Sequence, residues 1–151
     1  MTKARSVAAL IVLLLTTGCA TSSPAGGSGN PSSSTAPTDL ASAEAAWQQA
    51  AIRDYTLDVT IRGCMACGVP LQYSVTVVDG DVTDHSAPKG SNDDPMTVEN
   101  LFKTIRWYQH MGADVDQMVT YNDVGVPVEM NMNAPNVSDV QADYSVTFAQ
   151  T

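Results

Sequence analysis

Basic side chains are scarce in this chain of 151 residues: seven lysines and arginines stand against sixteen aspartates and glutamates, a formal net charge of −9. Such a balance repels phosphate backbones and argues against nucleic acid as a partner. Histidine is limited to two residues and cysteine to three. Without a Cys/His cluster there is little material for a zinc or haem site, and no metal or other cofactor is expected. No apolar run approaches the roughly 20 residues of a membrane-spanning helix. Neither a Gly-x-Ser-x-Gly turn nor a phosphate-binding glycine loop occurs. Hydrophobic residues make up an ordinary 44% of the chain, which excludes wholesale disorder, and the length suits one domain.

What is present begins with an address. Lys3 and Arg5 precede an unbroken apolar run from Val7 to Leu15. The run is too short to span a bilayer and fits the core of a secretory signal. It ends in Leu15-Thr16-Thr17-Gly18-Cys19, which resembles the bacterial lipobox. In that motif the signal, here residues 1–18, is cut before a cysteine whose thiol takes a diacylglycerol. Further acyl chains, such as palmitate, secure the anchor, because one chain alone holds only marginally. The alternative is an ordinary signal peptide cut near Ala20. Losing Lys3 and Arg5 would leave five basic against sixteen acidic side chains, a net of −11. Anionic headgroups would repel such a body. Residues 19–38 are rich in Ser, Thr, Pro, Gly and Ala and read as a flexible tether, on the order of 20–25 Å in root-mean-square span.

The single globular domain is expected over 39–151. Leu40, Ala43, Trp47 and Ala50 recur at helical spacing, with Thr38 or Ser42 as the cap and Asp54 closing the helix. Tyr55 to Arg62 alternates as a half-buried strand, and Leu71, Tyr73, Val75 and Val77 repeat the pattern. Asp79-Gly80 signals a hairpin into a third strand, Asp81 to Ser86. Asp94-Pro95 or Thr97 opens a second helix, striped by Val98, Leu101, Phe102, Ile105 and Tyr108 and ended by Gly112. Trp107 lies off that stripe. Three more strands follow: one through Val115, Val119 and Tyr121, one led by Pro127 through Val128, Met130 and Met132, and one along Val140, Ala142, Tyr144, Val146 and Phe148. The expected fold is α+β: an antiparallel sheet of about six strands with two helices on one face, in the order α-β-β-β-α-β-β-β. The shared order of the two halves hints at an internal duplication.

The one segment with evident chemistry is Gly63-Cys64-Met65-Ala66-Cys67-Gly68. An exported protein meets an oxidising compartment, so Cys64 and Cys67 read first as a structural disulfide. A thioredoxin-like redox pair needs a helix N-terminus at the first cysteine, and this pair lies between two strands. Free thiols or an intermolecular metal site complete the alternatives, and haem attachment is excluded by Gly68 where a histidine is required. Asp79, Asp81 and Asp84 lack the later glutamate of an EF-hand and read as a solvated hairpin tip rather than a calcium site. His85 and His110 are isolated surface histidines. Met130 and Met132 fill core rather than bind copper.

Trp47 before Asp54-Tyr55, the close pair Cys64/Cys67, Val77-Val78-Asp79-Gly80, Thr97-Val98 with Leu101-Phe102, and Tyr121-Asn122-Asp123-Val124-Gly125-Val126-Pro127 follow one another in order. From about Ala43 to Phe148 this set resembles a family of exported bacterial lipoproteins classed as a domain of unknown function. The resemblance implies an α+β envelope domain and transfers no catalytic residue. The expected protein is a non-enzymatic, membrane-anchored domain facing outside the cytoplasm, binding an envelope protein, peptide or small ligand. A thiol-disulfide redox protein using Cys64/Cys67 is the alternative. A small-molecule carrier would need an apolar pocket under the helices.

Overall fold

The computed structural model describes residues 35–63, 69–91, 94–133 and 141–151. Asp39 opens the first helix, α1 (Leu40–Ala50). Its carboxylate accepts from the Ser42 amide at 2.9 Å and the Ser42 hydroxyl at 2.7 Å. The cap is therefore Asp39, not Thr38 or Ser42: an aspartate with extended backbone reaches the amide three residues on. The helix also stops before Asp54, because Ala51 adopts a left-handed conformation at φ 49°.

Alternation then builds β1 (Tyr55–Arg62), β2 (Leu71–Val78) and β3 (Asp81–Ser86). The second helix, α2 (Val98–His110), is capped by Thr97, whose hydroxyl accepts from the Asn100 amide. It buries the stripe of Val98, Leu101, Phe102, Ile105 and Tyr108. A four-residue helix, α3 (Val115–Met118), follows where a strand was expected from Val115. Val115 and Val119 are four apart, a spacing that satisfies one helical turn as well as an even strand phase. The buried Val115 side chain fits the helical turn, and β4 shrinks to Val119–Tyr121. β5 (Pro127–Asn133) and β6 (Gln141–Gln150) complete the chain; Val140, expected in the last strand, lies outside the described residues.

All six strands form one antiparallel sheet in the order β3-β2-β1-β6-β5-β4. Register gathers the core side chains of neighbouring strands on one face. Leu57 stands opposite Val75 and Phe148, Val59 opposite Tyr73 and Val146, and Met130 opposite Val119 and Tyr144. Trp47 of α1 meets Tyr55 and Phe148 edge-on, with ring centroids 5.5 and 6.0 Å apart. Met130 and Met132 are fully buried in this layer. The other face is polar, with Thr56, Asp58, Thr60, Gln72, Asn131 and Thr147 in phase. The two halves enter the sheet differently: β1, after the first helix, is central, while β4, after the later helices, is an edge. Their shared order is not a shared placement.

Two turns fix α1 and its exit. At the β2–β3 turn Asp79 and Gly80 both have positive φ, 56° and 85°, as a primed hairpin requires. The tip is exposed, as expected, and its backbone is also tied to the α1–β1 connection. The Gly80 amide donates to the Arg53 carbonyl at 2.9 Å, the Asp79 amide to the Asp54 carboxylate at 2.7 Å, and the Arg53 guanidinium to the Asp79 carbonyl. At the β4–β5 turn Asn122 Oδ1 accepts from the Val124 and Val126 amides. Gly125 lies against α1: a Cβ there would stand 2.1 Å from the Ala43 carbonyl oxygen.

Candidate functional site

α1 and α2 present facing stripes. Glu44, Trp47 and Gln48 come from the first, and Glu99, Phe102, Lys103 and Arg106 from the second. Arg106 pairs with Glu44, and Trp47 Nε1 donates to Glu99 at 2.9 Å, so the helices run in opposite senses along the contact. Between them and the Ala51–Arg53 exit lies a cleft of about 390 Å³. That is within the roughly 300–1,000 Å³ range of small-ligand sites.

The floor is apolar. Trp47 and Phe102 belong to the buried core, and Ile52 packs against it. The rim carries Arg53, Lys103 and Arg106. Only five basic residues lie beyond residue 34, so three of the five line this one cleft in a strongly acidic chain. The two carboxylates beside them are already engaged. Glu44 holds Arg106. Glu99 takes the Trp47 indole N–H and the Tyr55 hydroxyl. Burial, with the adjacent negative charge of Glu99, pushes the Tyr55 hydroxyl up to about 12, so it remains a donor at neutral pH. Arg53 is steered to the rim by its bonds to the Asp79 carbonyl, so the hairpin clamp sets one cation of the site. Lys103 Nζ donates to Asn100 Oδ1 at 2.9 Å.

Cys19, Cys64 and Cys67 lie outside the described residues. Asp81 and Asp84 are exposed along β3, and among the described residues no group of three or more His, Cys, Asp or Glu is placed to hold a metal. His85 pairs in register with Val75 at the sheet edge, and His110 ends α2. Trp107 is 48% exposed and meets Tyr108 edge-on, away from the cleft. Sequence reasoning had no reason to single out Arg53, Lys103 or Arg106. The available signal was the spacing of residues 44, 47, 48 and 51 against 99, 102, 103 and 106, two helical stripes of matching length.

The fold is that of an α+β domain, a six-stranded antiparallel sheet with helices, and a depression lies between α1 and α2. Residues 39–149 match the family described as Family of unknown function (DUF6174), and the chain belongs to that family. No curated protein and no solved structure matches it. The structure gives a reason for the Tyr121–Pro127 motif in this chain. Asn122 holds the turn through two backbone amides, and Gly125 lets it pass beneath the α1 backbone.

Proposed function

We propose that this chain is a lipid-anchored bacterial envelope protein that works by binding rather than by catalysis. In this reading Cys19 carries the lipid, residues 19–38 form the tether, and the domain from 39 onward is displayed outside the cytoplasm. The leader and the Leu15-Thr16-Thr17-Gly18-Cys19 sequence support the anchor. The observation that carries the binding role is the α1–α2 cleft, an apolar floor rimmed by three of the five cations beyond residue 34. A site of this kind holds a ligand by burial and charge without a nucleophile and base set against each other.

Intact-mass measurement of the native protein from its membrane fraction tests the anchor. The expected product begins at Cys19 and carries acyl mass. An unprocessed chain in the cytosol, or a product beginning after Cys19, overturns it. The same spectrum reads the Cys64/Cys67 pair, since a disulfide lowers the mass by two hydrogens.

A further inference from the structure

We infer that the α1–α2 cleft takes a small amphiphilic anion: an aromatic or alkyl body bearing one carboxylate, sulfonate or phosphate. This rests on reading the cleft as the binding site. The body of the ligand lies on Trp47, Phe102 and Ile52, and its charged group meets Arg53 and Lys103. Three points select this chemistry.

The first is charge. The cleft gathers three cations and two carboxylates, so its lining is positive on a body whose remaining surface is strongly negative. A neutral ligand gives no reason for such a concentration, and a cation would meet it unfavourably. The second is prior engagement. Glu44 is neutralised by Arg106, whereas Glu99 bonds to the neutral Trp47 and Tyr55 donors and Arg53 and Lys103 bond to neutral oxygens, so two available cations stand against one available carboxylate. A guanidinium and an ammonium bonded to neutral acceptors keep their charge available for an anion. The third is size. A depression of about 390 Å³ admits a small molecule. A bilayer surface is disfavoured as occupant, because its anionic headgroups would meet sixteen acidic side chains on the same body.

The test uses the chain from residue 19 onward with Cys19→Ser, so that no lipid competes, and with Trp107→Phe, so that Trp47 is the single indole reporter. Two probes share one aromatic framework: 1-anilinonaphthalene-8-sulfonate carries an anion and N-phenyl-1-naphthylamine does not. The expected result is saturable energy transfer from Trp47 to the sulfonate probe at one site per chain. Affinity should fall about tenfold or more in Arg53→Gln/Lys103→Gln, and the neutral probe should bind more weakly and ignore those substitutions. Lys103→Gln alone, at an exposed position, gives a smaller loss in the same direction and guards against misfolding of the double variant. Equal binding of the two probes overturns the anion class while leaving the cleft a binding site. No transfer from Trp47 to either probe overturns both readings. Tight association of the same chain with phosphatidylglycerol vesicles, lost in the double variant, overturns the small-molecule occupant in favour of a membrane surface.

Discussion

The β2–β3 turn holds the exit of the first helix and the β4–β5 turn holds the helix itself, and they do so by opposite means. Asp79-Gly80 is fastened from outside: Asp54, the Arg53 carbonyl and the Arg53 side chain all bond to the turn backbone. Gly125 is held by what it lacks, since any side chain there would enter the Ala43 carbonyl. The first contact is polar and adjustable, and it delivers a cation to the cleft. The second is steric and rigid, and it sets the height of α1 over the sheet. A glycine with positive φ stands in both turns, at 85° and 87°, yet the two have different tolerance for replacement.

The largest expected effect therefore falls on Gly125→Ala. The new Cβ meets backbone that cannot swing aside, and the left-handed conformation adds strain. The loss should be about 3 kcal/mol or more, a large part of a domain's usual margin. Thermal denaturation would show it as a drop of roughly 10 °C or more, or as failure to fold. A melting temperature within a few degrees of the parent would remove the steric half of the comparison. Gly80→Ala should cost about 1 kcal/mol, mostly from φ, because its nearest neighbour is the Arg53 side chain at 3.4 Å, which can shift. The same melt reads it, and a loss equal to that of Gly125→Ala would make the two turns alike.

The smallest effect concerns Asp39, which starts the helix that Gly125 passes beneath. Bonds from the Ser42 hydroxyl and amide lower its carboxyl below the ordinary value of 3.8. The folded state thus favours the ionised form. Its contribution is present at neutral pH and fades as acid takes the pH below the unfolded value and through the lower folded one. Asp39→Asn should flatten that acid limb in urea titrations at successive pH values. An unchanged acid limb would show that ionisation of Asp39 adds nothing to the start of α1.

Much of the fold was legible because the sheet buries one face. Tyr55, Leu57, Val59 and Ile61 alternate without interruption, and Asp81–Ser86 was marked by the Asp-Gly turn ahead of it. The stripe from Val98 to Tyr108 was equally plain. Val115 was misread because four-residue spacing serves helix and strand alike. The cap at Asp39 was missed because Thr38, Asp39 and Ser42, all cap-forming residues, fall within five positions. The cleft was hidden for a different reason. Arg53 follows one helix, and Lys103 and Arg106 sit on another, some fifty residues along the chain. Only antiparallel packing of α1 on α2 brings them to one rim. Gly125 was readable as a turn, but its approach to Ala43 belongs to tertiary structure alone.

The covered and open sides of the sheet offer the last contrast. One ends in a cationic depression between helices, and the other is a polar surface bearing Asp58, Glu129 and Asp143. Backbone amide shifts of the Cys19→Ser chain, recorded while the sulfonate probe is added, locate binding on one or the other. Changes should be confined to Glu44–Arg53 and Glu99–Arg106 and saturate together. Shifts gathered on the open strands, or scattered without saturation, would contradict binding in the cleft.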